Sequence, residues 1–338
     1  MIGSMILNFQ NGHQNTLEKM MKMQAFNTNI HPIWDTMRFP FETPAISKLK
    51  SEICLWANSG ITGGVVLGDG RTGKSISIGV IKEAIKLKTT NQTLPSITYR
   101  AKKRDKRTIA QCYRNLYRIT GEKDKKGYSP EDMMDQIVCY ILDLAALHSN
   151  RQVLLFVDEF QRMTLDQLIV FAELQDELLE DYKALLNVFL FGNIDESDHL
   201  LNQVKTSQYN FLHGRFFIQK YVFRGITNKD ELSKCLRQYD TLRFPEIDGP
   251  TYTEHFLPEA FKNGWRLENL TDLIWKTYLR VKKPERRTSW GMKYFTGTIA
   301  PLLSGYLKRE GVNRVNEAMV YRAIQASGLI TNEINRVK

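Results

Sequence analysis

Residues Gly68, Asp69, Gly70, Arg71, Thr72, Gly73, Lys74 and Ser75 form a complete G-x-x-x-x-G-K-[ST] run. Glycines in such a run let successive backbone N–H groups curl around phosphates, Lys74 supplies a point charge to the β and γ phosphates, and the Ser75 hydroxyl can ligate Mg²⁺. All eight residues are therefore expected to bind ATP, with Mg²⁺ as its companion ion. Further along, the apolar run 153–157 ends in Asp158-Glu159. Asp158 is expected to hold the metal together with Ser75, and Glu159, one residue beyond the sheet, to polarise a water for in-line attack on the γ phosphate. Taken alone, an Asp-Glu pair reads more readily as the solvated start of a turn; with a phosphate loop upstream it reads as catalytic.

Three further side chains suit the same chemistry. Asn193 follows the apolar run 186–191 and would stand at the carboxyl edge of a parallel sheet, within reach of a γ phosphate and an attacking water. Gly192-Asn193 is also ordinary turn chemistry. Arg215 and Arg266 carry guanidinium groups of the kind that stabilise a loose, charge-spread transition state at phosphorus, although from local sequence each reads as a surface arginine.

A different chemistry is written between Tyr99 and Arg118, where Arg100, Lys102, Lys103, Arg104, Lys106, Arg107, Arg114 and Arg118 face one acid, Asp105. Flexible cations neutralise a phosphate backbone without reading bases. Lys102, Lys103, Arg104, Lys106 and Arg107 are the expected nucleic-acid contacts, with Tyr99, Tyr113 and Tyr117 interleaved; a solvated face is the plainer alternative.

The elements that must position these groups alternate. Strands are predicted over 63–67, 95–100, 153–157, 186–191 and 216–223, and helices over 46–58, 130–148 and 164–176, the pattern of an α/β fold with a parallel sheet between helices. After residue 223 the strands stop. Helices over 228–239, 252–262, 265–281 and 316–326 predict a helical second unit, interrupted by a less regular insertion over 284–313 that contains Arg286-Arg287-Thr288-Ser289-Trp290. The expected organisation is an arm over 1–45, an α/β nucleotide-binding core over 46–226 and a helical lid over 227–338 with a short C-terminal tail.

The 338 residues, 42% apolar, suffice for two packed units, and the formal charge of +10 suits a polyanionic partner. Cys54, Cys112, Cys139 and Cys235 form no C-x-x-C pair, which argues against a zinc site or a disulfide framework. Without a signal peptide or an apolar run of membrane-spanning length, the expected place is the cytoplasm.

In order and spacing, the phosphate loop, Asp158-Glu159, Asn193, Arg215 and Gly264-x-Arg266 resemble the AAA+ ATPases over roughly residues 46–327. The resemblance implies a five-stranded parallel P-loop fold with a C-terminal helical lid. It makes Asn193 the first sensor, Arg215 a finger supplied to a neighbouring subunit's nucleotide, and Arg266 the second sensor, contacting nucleotide from the lid. Within AAA+, Gly68 to Ser75, Phe189-Leu190-Phe191-Gly192-Asn193 and residues 211–217 look most similar to the DNA-transposition regulators TnsC, TniB and MuB. In those proteins a basic loop after the second strand grips duplex DNA, which coincides with the cationic run already chosen on charge. The resemblance implies a slow Mg²⁺-dependent ATPase, stimulated by DNA and by oligomerisation as a hexameric ring or helical filament. Its partners would be a transposase and a target-selection protein, with no membrane, in the nucleoid of a prokaryotic cell. An AAA+ helicase loader or replication initiator is the nearest alternative; a P-loop small-molecule kinase or a non-hydrolysing ATP-binding scaffold is the alternative of a different class. No helix-turn-helix module precedes the core, unlike MuB.

Overall fold

A computed structural model describes residues 31–34, 42–87, 91–122, 127–245, 248–282 and 288–330. Most of the expected arm, together with Arg286 and Arg287, lies outside these residues. Helix α1 (Pro44–Asn58) starts where Thr43 accepts the Ile46 N–H on its hydroxyl and Pro44 occupies the first turn, and it buries Ile46, Leu49, Ile53 and Trp56. The chain then alternates: β1 (Gly63–Gly68), α2 (Lys74–Ile81), β2 (Ser96–Arg100), α3 (Ile109–Tyr117), α4 (Pro130–Ala145), β3 (Gln152–Asp158), α5 (Leu165–Glu180), β4 (Leu185–Asn193), α6 (Ile194–Gln203) and β5 (Lys220–Val222). The five strands form one sheet in the order β2-β3-β4-β1-β5, with every pair parallel.

Helices cover both faces of this sheet, which is why β1 and β3 are buried at every position. Alternation of side chains sends Val65, Leu155, Val157, Val188 and Leu190 to one core with α3, α4 and α5, and Val66, Leu154, Phe156, Phe189 and Phe191 to the other with α1 and α2. The register sets Gly68 beside Asn193 and Arg100 beside Asp158. The carboxyl ends of β1, β2, β3 and β4 therefore make one edge, where ligands of parallel sheets bind.

The fifth strand is shorter than its apolar pattern predicts. Phe216 and Phe217 lie instead in a π-helical turn, His213–Phe217, where both are fully buried. An unbroken apolar run fits a buried turn as well as a buried strand, and periodicity does not separate the two.

The helical unit consists of α7 (Lys229–Tyr239), α8 (Tyr252–Phe256), α9 (Pro258–Lys262), α10 (Thr271–Lys282), α11 (Met292–Pro301) and α12 (Glu317–Ala326), packed around a core of their own. The single helix expected over 252–262 breaks at Leu257 ahead of Pro258. The stretch 284–313, expected to be irregular, is helical over most of its described part: α11 runs on through a π-helical segment, Leu302–Leu307, to a last turn, Lys308–Glu310. Phe295, Ile299, Leu302 and Leu303 are fully buried in it, so this helix is the centre of the lid core.

Two joints tie lid to sheet. Lys48 on α1 pairs with Glu231 on α7 at 2.7 Å. Ile226 and Trp290 exchange backbone hydrogen bonds of 3.0 and 2.8 Å, and Trp290 stacks on Tyr278 at 4.3 Å. From the arm, His31 sits among Phe244, Tyr252, His255 and Phe256 of the lid, with ring centroids 4.5–4.9 Å away.

Candidate active site

Between β1 and α2 the backbone turns through left-handed conformations at Arg71 (φ 66°) and Gly73 (φ 106°). The second is a position that a side chain would strain, and the turn presents the first N–H groups of α2 as an anion cradle. Lys74 is 9% exposed, and its Nζ donates to the carbonyls of Gly68 at 2.6 Å and Asp69 at 2.8 Å. Thr72 Oγ1 donates to the same Asp69 carbonyl at 2.8 Å, bracing the loop from inside. Burial lowers the Lys74 pKa, opposed by Glu159, Asp158 and Asp69. An ammonium turned onto two neutral carbonyls gains by exchanging them for phosphate oxygens, because charge-assisted hydrogen bonds are the stronger ones.

Asp158 closes β3 and is 4% exposed. Burial raises its carboxyl pKa, the Ser75 hydroxyl, Arg100 and Lys74 pull the other way, and Glu159 adds to the rise. Arg100 Nε stands 3.5 Å from Asp158 Oδ2. A buried carboxylate hydrogen-bonded to a serine hydroxyl and short of counter-charge fits a Mg²⁺ site. The ion, bound by Ser75 and Asp158, would neutralise charge developing on the phosphates. Among the described residues there is no cluster of three or more His, Cys, Asp or Glu residues able to hold a metal by themselves, so such a site depends on the nucleotide's oxygens.

Glu159 adopts a left-handed backbone (φ 63°), unusual for a side chain of its size. The turn swings its carboxylate off the strand, where Oε2 accepts from Gln161 Nε2 at 2.9 Å and pairs with Arg162 Nη2 at 2.8 Å. Asn193 satisfies both of its sequence readings. Its Oδ1 accepts the N–H groups of Asp195 and Glu196 at 3.0 and 3.2 Å, capping α6. Its Nδ2 lies beside the phosphate loop, 3.7 Å from where a Cβ on Gly70 would stand.

Gln161 and Arg162 were not singled out by sequence reasoning. Gln161 is 5% exposed; its Nε2 bridges Glu159 to Glu196 at 2.9 and 3.2 Å, and its Oε1 accepts the Asn193 N–H at 3.3 Å. The available signal was position: both residues lie between Glu159 and the helix cap Thr164, too few residues to leave the sheet edge.

The two remaining arginines stand apart from the loop. Arg215 pairs with Asp176 on α5 at 2.7 Å, and its carbonyl lies 3.0 Å from where a Cβ on Gly63 would stand. Gly63 opens β1 and Gly68 closes it, so Arg215 is at the opposite edge of the sheet, roughly 16 Å along the strand at the usual rise per residue. Arg266 donates to the carbonyls of Phe261 and Trp265 at 2.9 and 2.8 Å and stacks 3.6 Å over the Phe261 ring. Its guanidinium closes the end of α9. The lid groups that do touch the loop come from the start of α11 and the residues before it: Tyr294 Oη accepts from Arg71 Nη1 at 3.0 Å, Lys293 N–H donates to the Arg71 carbonyl at 3.3 Å, Thr288 Oγ1 donates to Asp69 Oδ2 at 3.4 Å, and Met292 packs over Gly73.

The basic run forms a loop on the same edge, after β2. Lys102, Lys103, Arg104, Lys106 and Arg107 are all exposed, and none is in an ion pair among the described residues. Asp105 shapes the loop instead, accepting from the Lys102 N–H and from Asn115 Nδ2, each at 3.0 Å. The interleaved tyrosines do not share this face. Tyr99, Tyr113 and Tyr117 are 2%, 8% and 1% exposed; Tyr113 Oη donates to Glu173 at 2.8 Å, and Tyr99 packs edge-on to Phe171. Their apolar bodies are worth more inside than on a polyanion's surface.

A parallel sheet of this strand order, with a phosphate loop after β1 and paired acids after β3, defines a P-loop nucleotide-binding protein. Residues 59–213 match the family described as AAA domain, and the fold is the AAA+ P-loop fold with a helical C-terminal region. Similar solved structures include the ORC2 protein of Aeropyrum pernix in ADPNP-ADP complexes (13% identity, 86% of this chain and 71% of that one, TM-score 0.45) and Cdc6p of Pyrobaculum aerophilum (13%, 88% and 84%, 0.44). The Aeropyrum pernix ORC1 protein in complex with DNA is a third (14%, 88% and 85%, 0.42). Likeness at this level carries no inference about function. No curated protein matches the chain significantly. Among the described residues no helix is long and apolar enough to cross a membrane.

Proposed function

We propose that the protein is an ATP-dependent, DNA-binding AAA+ regulator of transposition that assembles on duplex DNA as a hexameric ring or helical filament and disassembles on hydrolysis. One observation carries the ATP and DNA parts: five exposed cations, without an ion pair among the described residues, stand on the loop after β2, at the same sheet edge as Lys74, Ser75, Asp158, Glu159 and Asn193. Lys74 binds the phosphates, Ser75 and Asp158 hold Mg²⁺, Asn193 Nδ2 orients the γ phosphate or the water, and Glu159 accepts the water's proton. The transposition part rests on the resemblance of the phosphate loop, the sensor strand and residues 211–217 to TnsC, TniB and MuB. It brings a transposase and a target-selection protein as partners. Because Arg215 faces away from its own loop, its role as a finger requires a second copy of the chain.

Imaging by negative-stain electron microscopy with duplex DNA tests this reading. Rings or filaments are expected with a slowly hydrolysed ATP analogue and not with ADP or without nucleotide, and Lys74→Ala is expected to abolish them. Single particles in every condition, or assembly by Lys74→Ala equal to that of the unaltered protein, would overturn it. A helicase retained in pull-down in place of a transposase would move the assignment to a loader.

A further inference from the structure

Arg162 joins the proposed catalytic base to the basic loop. Nη2 pairs with Glu159 Oε2 at 2.8 Å, and Nη1 donates to the carbonyl of Ala101 at 3.3 Å. Ala101 is the root of the loop: its own N–H donates to the Asp158 carbonyl at 3.0 Å, and the cations begin at the next residue. The loop's far end is held by Gln167, whose Nε2 donates to the carbonyls of Lys106 and Thr108 at 3.4 and 2.9 Å. Gln167 caps α5, whereas Arg162 is bound to a group with chemistry to perform. The loop is thus fastened to the core at one end by a structural helix cap and at the other by an arginine shared with Glu159.

We infer that Arg162 is a positioning residue that restrains Glu159 until nucleic acid seats on the 101–107 loop. The inference rests on the ATPase and DNA-binding reading above. A carboxylate whose lone pairs are engaged by a guanidinium is a weaker base and is not free to turn toward a water. When Lys102, Lys103 and Arg104 are drawn to a phosphate backbone, the Ala101 carbonyl moves with them. Arg162 loses one of its two anchors, and its hold on Glu159 loosens. Glu159 then takes the proton of the water whose oxygen bonds to the γ phosphorus, while the bond from phosphorus to the β–γ bridging oxygen breaks and its electrons leave with ADP. Gln161 stays on Glu159 throughout and keeps the carboxylate near the Asn193 edge.

The test is phosphate release by the full chain with Mg²⁺ and ATP, with and without duplex DNA, for the unaltered protein, Arg162→Ala and Arg162→Lys. Binding of a fluorescent ATP analogue and of labelled DNA is followed in parallel. Arg162→Ala is expected to raise the DNA-free rate on the order of fivefold, the worth of one charged hydrogen bond, and to bring the ratio of rates with and without DNA close to one. Arg162→Lys, whose single ammonium does not span both acceptors, is expected to fall between the two in rate and in ratio. An Arg162→Ala protein that binds ATP and DNA normally yet keeps a low DNA-free rate and an intact ratio would overturn the coupling alone. Rates falling equally with and without DNA would reduce Arg162 to a structural residue. An unaltered protein that binds neither ATP nor DNA would remove the underlying reading and the coupling together.

Discussion

The sheet edge and the lid solve the same problem, placing polar groups around a phosphate site, by different means. At the edge, Lys74, Asp158 and Asn193 sit at or near the ends of strands, and backbone register brings those ends together: Gly68 pairs with Asn193 and Arg100 with Asp158. In the lid, the groups that meet the loop, Tyr294, Lys293 and Thr288, are put there by the packing of short helices on a core of their own. Register converts sequence position into spatial position with little freedom; helix packing does not. Substitutions at the edge should therefore act on chemistry, and those in the lid on stability or nucleotide affinity.

The largest effect is expected at the edge. Glu159→Gln keeps the hydrogen-bonding outline of the side chain and removes the base, so hydrolysis should fall about 10²- to 10⁴-fold while binding of a fluorescent ATP analogue persists. A Glu159→Gln protein that still turned over at about a tenth of the normal rate would fall short of a general base's usual share and mean that the edge is not a water-activating site.

Next comes the joint between the two regions. A Cβ on Gly225 would lie 2.0 Å from the Trp290 carbonyl, against the backbone pair that ties Ile226 to Trp290. Backbone cannot yield as a side chain does. Gly225→Ala should lower unfolding free energy by about 3 kcal/mol, read by denaturant titration, and should release the lid before the core. A single unshifted transition would show that the lid does not depend on this joint.

How far the sequence revealed the molecule divides along the same line. The order of the five strands' apolar runs, the phosphate loop and the acids after 153–157 were legible, because buried parallel strands are unbroken apolar runs and their ends are marked by polar residues. Asn193 was legible as a strand-end group, though its cap on α6 was a second, equally local use. Phe216 and Phe217 misled because burial in a turn and burial in a strand look alike. Arg266 misled because a Gly-x-Arg pattern says where an arginine stands in the chain and not where its guanidinium finds acceptors; the carbonyls of Phe261 and Trp265 were nearer. Residues 284–313 looked irregular on account of their first, polar third. The spacing of Phe295, Ile299, Leu302 and Leu303 already carried the helix that centres the lid.

A smaller effect separates the two lid candidates. Tyr294→Phe removes only the hydroxyl that accepts from Arg71, so the loop loses one lid contact worth about 1 kcal/mol, and nucleotide affinity should shift roughly fivefold with melting temperature nearly unchanged. Arg266→Ala removes a helix-end clasp and a cation–π stack and should do the reverse, lowering melting temperature with affinity unchanged. A roughly tenfold loss of affinity in Arg266→Ala, about 1.4 kcal/mol, would restore it as the nucleotide-facing arginine, acting after a lid rearrangement.

The smallest effect lies farthest from the chemistry, where the arm meets the lid. His31 is 5% exposed, and burial, with His255 adding repulsion, lowers its pKa to about 4. Its Nδ1 accepts the Ile33 N–H at 3.2 Å, a bond that needs the neutral ring. With a folded pKa below the unfolded value near 6.5, the unfolded chain binds the proton first as pH falls. Docking of the arm is thus fully favourable above about pH 6.5 and weakens progressively toward about pH 4. At about pH 6 the loss should be under about 1 kcal/mol. Melting temperatures between about pH 7.5 and 4.5 should fall more steeply for the unaltered protein than for His31→Leu, which has no ring to protonate. Parallel curves would place the pH dependence elsewhere and leave His31 a packing residue only.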